Sequence, residues 1–70
     1  EDNLTALVGR VIASLPDRER EVIHLHDVKG MDYEDIAEAI GTNTAAARMA
    51  CSRARQKVKE QLIKIMNYGA

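Results

Sequence analysis

Apolar residues recur at helical spacing along most of the 70-residue chain, in four segments that Pro16, Gly30 and Gly41 separate. Residues three and four positions apart lie on one face of a helix, so each segment predicts an amphipathic helix. The chain has one Pro, four Gly, no Phe and no Trp, which favours short turns and an aliphatic core. We therefore expect an all-α fold, a compact four-helix domain that spans residues 1–70.

The residues that interrupt the pattern predict where the first two helices begin and end. The first helix is expected over residues 4–15, with Asp2 or Asn3 as its N-cap. Pro16 breaks this helix and suits the first turn of the second helix, because its missing N–H has no partner there. Gly30 is expected to end the second helix in the left-handed conformation.

Similar signals bound the third and fourth helices. Asp32 is expected to cap a short third helix, which Gly41 stops. Thr42 or Asn43 is expected to cap a long fourth helix over residues 44–66. The spacing predicts that the fourth helix packs against the core through Ala47, Cys51, Ala54, Val58, Leu62 and Ile65.

Charge is divided unevenly between the two halves of the chain. Residues 1–42 carry four bases and ten acids, a net −6, whereas residues 43–70 carry six bases and one acid, a net +5. Such a division suggests a basic face that meets a polyanion. The alternative is a solvated basic helix that pairs with the acidic half of its own domain, and charge alone does not separate the two.

The layout of residues 32–59 is that of a helix-turn-helix. A short helix with the small residue Ala37 near its middle is followed by a turn of about three residues and then by a longer helix. In this motif the second helix lies in the DNA major groove, with its N-terminal residues at the base edges. The fourth helix is thus the candidate recognition helix.

The start of the fourth helix fits a groove that is only about 12 Å wide. Four alanines keep this part of the helix slim: Ala45, Ala46, Ala47 and Ala50. We expect Ala45 and Ala46 to face the groove and Ala47 to pack in the core. Arg48 can reach a guanine edge or a phosphate. The later basic residues can neutralise phosphates: Arg53, Arg55, Lys57 and Lys59. Hydroxyl groups that could contact the DNA backbone come from Tyr33 and Thr44.

Four short motifs add a family resemblance: "LP" at 15–16, "REV" at 20–22, "GMDYEDIA" at 30–37 and "SRAR" at 52–55. In this order and register they resemble the C-terminal DNA-binding domain, domain 4, of bacterial sigma factors. The extracytoplasmic-function (ECF) group is the most similar. The resemblance covers about residues 4–62, nearly the whole chain.

The resemblance implies a role in transcription initiation. The domain would bind double-stranded promoter DNA at the −35 element and dock on the β flap of the RNA polymerase core. It would belong to a longer cytoplasmic sigma factor, whose preceding domain reads the −10 element and which an anti-sigma factor holds inactive.

One window departs from the family pattern. Where the family often has glycine-threonine-valine-lysine-serine-arginine, this chain has "AAARMA" at 45–50. Arg48 matches the basic position, but the threonine, the serine and the second arginine are absent. The resemblance therefore does not indicate which bases this chain reads. Ser52 and Arg53 match positions that face DNA in the family. The predicted DNA-binding residues are Tyr33, Thr44, Ala45, Ala46, Arg48, Met49, Ser52, Arg53, Arg55 and Lys59.

Other kinds of chemistry find little support in the sequence. His24 and His26 point about 200° apart on a helix, so they are not expected to share a metal, and Cys51 falls on the core stripe. We identify no nucleophile–base pair, phosphate loop or metal-ligand cluster. The sequence therefore predicts no enzyme, no cofactor or metal, no small-molecule substrate and no membrane partner.

Two alternative functions stay open at this point. One is the helix-turn-helix output domain of another transcription regulator, which "DREREV" at 17–22 suits equally well. The other is a protein-interaction module whose basic helix binds an acidic partner. Salt-dependent binding to duplex DNA separates that module from a DNA-binding domain, since phosphate contacts weaken steeply as salt rises.

Overall fold

The computed structural model describes residues 3–68, and every regular element in that range is helical. The fourth helix has 25 residues and is about 37 Å long, so it gives the molecule its extent of 42 × 22 × 15 Å. The all-α prediction with four helices is confirmed. The elements are α1 (Asn3–Ala13), α2 (Asp17–Ile23), a π-helical turn that continues α2 (His24–Val28), α3 (Tyr33–Ile40) and α4 (Thr44–Tyr68).

The start of α2 differs by one position from the prediction. Pro16 is the N-cap rather than a first-turn residue, because its ψ of 150° is extended. Its carbonyl oxygen accepts a hydrogen bond from the backbone N–H of Arg20 at 2.9 Å, which begins the helical pattern. Asn3 is the first residue of α1, and the alternative cap Asp2 lies outside the described residues.

The π-helical turn after α2 was not predicted. The backbone N–H of Lys29 donates to the carbonyl of His24 at 3.1 Å, which spans five residues rather than four. Gly30 then takes the predicted left-handed conformation, with a φ of +75°. Such wide turns are rare and are frequently found at functional sites. Here the turn holds Asp27, which pairs with α4 as described below.

Local signals fix both ends of α3. An Oδ1 atom of Asp32 accepts a hydrogen bond from the backbone N–H of Asp35 at 2.9 Å, which confirms the predicted cap. Gly41 ends the helix with a φ of +75°, and the N–H of Thr42 bonds back to the carbonyl of Ala37 at 2.8 Å. This closed turn leads directly into α4.

The N-cap of α4 is Asn43 rather than Thr42. The Oδ1 atom of Asn43 accepts a hydrogen bond from the backbone N–H of Ala46 at 2.8 Å. This contact satisfies one of the free N–H groups of the first turn and sets the direction in which α4 leaves the turn.

Two clusters form the core, and α4 contributes to both. The larger cluster joins α2, α3 and α4 through Val22, Ile36, Ala37, Ala47, Ala50 and Cys51. The smaller one consists of Leu15, Ile23 and Ala54, with Ile12 and Val58 packed against it. Small residues on α4 let α2 and α3 approach its backbone closely.

The predicted core stripe of α4 is right for its first half and wrong at its end. Ala47, Cys51 and Ala54 are fully buried, whereas Val58 and Leu62 are half-buried. Ile65 is exposed, because α4 extends beyond the helices that cover its first half. Ala50 was expected to help keep the groove-facing surface slim, yet it packs in the core.

Candidate nucleic-acid interface

The first two turns of α4 present an apolar, narrow surface to solvent. Ala45, Ala46 and Met49 are exposed, while Ala47 and Ala50 are buried. At 3.6 residues per turn, Met49 lies about 160° around the helix from Ala47. The predictions that Ala45 and Ala46 are exposed and that Ala47 packs inside are thus confirmed.

A shallow polar cleft lies beside this surface, between the start of α3 and the middle of α4. Its volume is about 290 Å³. Five of the predicted DNA-binding residues line the cleft: Tyr33, Arg48, Ser52, Arg55 and Lys59. Gln56, which was not predicted, also lines it. Met49 and Arg53 are exposed outside the cleft, and Thr44 is half-buried at the first residue of α4.

An aromatic stack forms one wall of the cleft. The rings of His26 and Tyr33 are stacked with centroids 4.4 Å apart and an angle of 9° between their planes. The guanidinium carbon of Arg48 lies 5.3 Å from the centroid of the Tyr33 ring. A cation–π contact of this kind is worth about 0.5–1 kcal/mol at an exposed site. Arg48 is therefore drawn towards α3.

The pKa of the Tyr33 hydroxyl is shifted by its surroundings in the protein. Its hydrogen bond with the thiol of Cys51 raises the pKa of Tyr33, and desolvation adds to the shift. The sequence predicted this hydroxyl as a contact to the DNA backbone. The ring face of Tyr33 also contacts Arg48, and Tyr33 packs against the core cluster that joins α3 and α4. Its contact with the DNA backbone stays a prediction.

Arg55 is bound to the π-helical turn. Its Nη2 atom contacts Oδ1 of Asp27, and its Nε atom lies 3.3 Å from Oδ2 of the same carboxylate. This fork-like pair holds the pKa of Asp27 below its usual value, despite some opposing desolvation. The same contact raises the pKa of Arg55. A phosphate would have to compete with Asp27 for this arginine.

Lys57 is likewise paired within the domain. Its Nζ atom lies 2.9 Å from a carboxylate oxygen of Glu19 on α2. Arg48, Arg53 and Lys59 form no ion pair with any residue in the range 3–68. The acidic half of the chain thus neutralises part of α4 and leaves three nearby cations available.

Three possible metal ligands also converge, which the sequence did not predict. Side-chain donor atoms of His26, Asp27 and Cys51 all lie within 4.8 Å of one another. The three residues come from the π-helical turn and from α4, so no short spacing in the sequence reveals them. Nη2 of Arg55 lies 3.2 Å from Nδ1 of His26 and contacts Asp27 as well. The protein therefore supplies its own cation to this cluster.

A second, apolar groove lies between α1, the π-helical turn and the second half of α4. Its volume is about 590 Å³, and its apolar lining consists of Val8, Ile12, Ile23, Val28, Val58, Leu62 and Ile63. Val28 is 65% exposed and Ile63 is 47% exposed. The sequence analysis did not predict this groove. The signal was Ile63, a large apolar residue outside the predicted core stripe of α4.

The described helices include none that is both long and apolar enough to span a lipid bilayer.

A short helix, a left-handed glycine turn and a long basic helix with a slim exposed start define a helix-turn-helix domain of the DNA-binding class. Residues 5–58 match the family described as Sigma-70, region 4. The chain therefore belongs to this family of transcription-initiation factors, which act in promoter recognition and are not enzymes. The predicted resemblance is confirmed.

Similar proteins include ECF sigma factors. The ECF RNA polymerase sigma factor SigD of Mycobacterium tuberculosis is 33% identical over 97% of this chain and 32% of its own length. The probable ECF RNA polymerase sigma factor SigI of the same species is 36% identical over 90% of the chain and 22% of its own length. RNA polymerase sigma factor SigZ of Bacillus subtilis is 29% identical over 83% of this chain and 33% of its own length. The chain thus spans a third or less of the length of these relatives.

Proposed function

We propose that this chain is the −35-element-binding domain of an ECF-type sigma factor, and that α4 enters the DNA major groove with its N-terminal turns. The observation that carries the proposal is the exposed, narrow start of α4, with Ala45, Ala46 and Met49 outward, next to unpaired cations. A major groove admits a helix of this width, and the phosphates on either side attract the cations.

The unpaired cations support this orientation. Arg48 and Lys59 line the polar cleft, whereas Arg53 lies outside it on the exposed surface of α4. A helix that lies in the groove has a DNA strand on each side, so cations on both flanks can contact phosphates at once. Phosphate contacts of this kind fix the position of the protein, and the residues between them meet the bases.

A selection experiment with the 70-residue chain tests the proposal. We expect the chain to enrich a short consensus from a pool of duplexes with a random central window, and to lose affinity steeply as salt rises. Enrichment of no sequence, together with affinity that does not depend on salt, would refute the proposal.

A competitor assay separates DNA binding from the alternative of an acidic protein partner. Poly-glutamate offers negative charge without a groove, and a hairpin duplex of matched charge offers negative charge together with a groove. We expect the duplex to displace a labelled duplex far more effectively than poly-glutamate. Equal competition would favour the protein-interaction module. The family membership already disfavours the output domain of another type of regulator.

We also propose that the apolar groove binds the β flap of RNA polymerase, the partner that the family resemblance implies. The groove offers seven aliphatic side chains with exposed Val28 and Ile63 among them, and it lies on elements other than the first turns of α4. One face of the domain can therefore hold the polymerase while another meets DNA.

Matched variants on α4 test the polymerase contact. Ile63→Ser should weaken binding to core polymerase and leave duplex binding unchanged, because Ile63 lines the groove. Met66→Ser is the control, since Met66 is 65% exposed and does not line the groove. Equal effects of both variants on polymerase binding would contradict this assignment.

The remaining parts of the proposal concern the longer protein. We propose that residues 1–70 act as one domain of a cytoplasmic sigma factor, with a binding role rather than a catalytic one. An anti-sigma factor is the proposed regulatory partner, and competition between such a factor and core polymerase for the chain would test this.

A further inference from the structure

Met49 is a large apolar side chain in the middle of a surface that is proposed to meet DNA. It is 54% exposed, and the residues beside it towards the helix start, Ala45 and Ala46, are exposed and short. The side chain of Met49 therefore projects beyond its neighbours. About half of the Met49 side chain stays accessible to solvent, and Met49 belongs to neither core cluster, so this apolar surface is available for a contact outside the domain.

Three polar residues near Met49 lie on one flank of α4. Arg48 is held over the ring of Tyr33, and Thr44 is half-buried at the first residue of the helix. Ser52 follows nearly one turn later and faces the polar cleft. Within residues 44–50, the outward face carries Ala45, Ala46 and Met49, and Met49, the longest of the three, ends in a flexible thioether without a hydrogen-bond donor. The exposed Arg53 follows one turn later on nearly the same face.

Only one base presents an apolar group in the major groove. Thymine carries a C5-methyl group there, whereas the edges of guanine, cytosine and adenine offer hydrogen-bond donors and acceptors. An apolar side chain that covers a donor or acceptor leaves that group unsatisfied, which is unfavourable. A methionine is long and adaptable enough to cover a methyl group at variable distance.

We propose that Met49 selects a thymine by packing against its C5-methyl group. The inference rests on the proposed groove-binding orientation of α4. It assigns a base to the window at 45–50, where this chain departs from the family pattern. Burial of one methyl group at the usual transfer free energy corresponds to about a fourfold gain in affinity.

Replacement of thymine by uracil provides a direct test, because it removes the methyl group and keeps every hydrogen-bonding atom. The probes are the duplex that the 70-residue chain enriches from the random pool and a set in which each thymine is replaced in turn by deoxyuridine. We expect one replacement to weaken binding by the wild-type chain about fourfold. The same replacement should have no effect on Met49→Ala.

Two further variants separate the apolar contact from other causes. Met49→Leu should keep the sensitivity to uracil, whereas Met49→Gln, of similar length but polar, should lose it. Met66→Ala is the control for removal of an exposed methionine elsewhere on α4. Circular dichroism of each variant checks that the helices are intact.

The outcomes distinguish this inference from the proposed function. A consensus without thymine, or a uracil effect that persists in Met49→Ala, would overturn the role of Met49 while salt-dependent duplex binding stands. A chain that binds no duplex at low salt would overturn the proposed function and this inference together.

Discussion

Two lysines on α4, two positions apart, should contribute very differently to DNA binding. Lys57 forms an ion pair with Glu19 at 2.9 Å, and Lys59 forms no ion pair with any of residues 3–68. A cation that an internal carboxylate neutralises adds little to the local potential. We therefore expect Lys59→Gln to reduce the salt dependence of duplex binding and Lys57→Gln to leave it almost unchanged.

The size of the effect follows from counterion release. Each phosphate that a protein cation neutralises contributes about 0.9 to the slope of log K against log salt. Between residues 44 and 59 the unpaired cations are Arg48, Arg53 and Lys59, which gives a slope of about −2.7 for the wild-type chain. Lys59→Gln should lower its magnitude to about 1.8.

Fluorescence anisotropy with a labelled duplex, at salt concentrations from about 50 to 200 mM, measures these slopes. Because Lys57→Gln removes the cation that neutralises Glu19, the double variant Glu19→Gln/Lys57→Gln is the matched control, and it should keep the wild-type slope. Equal loss of slope in Lys59→Gln and in the double variant would show that internal pairing does not decide which cations reach DNA.

The remaining predictions concern stability and are measured by urea unfolding followed by circular dichroism. Gly41→Ala should cost about 1–2 kcal/mol, because Gly41 has a φ of +75° and a Cβ atom there meets only open space, so backbone strain alone acts. Loss of the N-cap in Asn43→Ala should cost about 1 kcal/mol, and Asn43→Gly only a few tenths. The pKa of Asp27 in the fold lies below its ordinary value of 3.8. The stabilisation by its pair with Arg55 is therefore fully present at pH values above 3.8, and it is lost as the pH falls through the lowered pKa. Asp27→Asn should therefore lose less stability than the wild type on acidification below about pH 4; an equal loss would contradict the assignment of this ion pair.

The helices and their ends were predictable because local chemistry determines them. Asp32 caps α3 through a backbone group three residues away, and Gly41 ends it because other residues are strained in the left-handed conformation. The family motifs are local as well. The number of helices, the helix-turn-helix and the exposure of Ala45 and Ala46 all follow from spacings of a few residues.

The contacts of the basic side chains were not predictable in the same way. Arg55 and Asp27 are 28 positions apart, and Lys57 and Glu19 are 38 apart. Which acid meets which base depends on how α2 and α4 pack, and the sequence pattern does not give that geometry. The same is true of the convergence of His26 with Cys51. The π-helical turn also escaped prediction, because its composition does not differ from that of an ordinary helix.

The pairing of Arg55 with Asp27 has a structural consequence for the proposed interface. Arg55 lies on the helix that would enter the groove, and Asp27 lies on the turn that leads to α3. A bidentate arginine–carboxylate pair constrains both the distance and the orientation of its partners. His26, next to Asp27, stacks on Tyr33, and Tyr33 supports Arg48. The ion pair thus connects the π-helical turn to the polar wall of the cleft. Its effect on DNA binding would be to fix the position of Arg48 rather than to supply a phosphate contact.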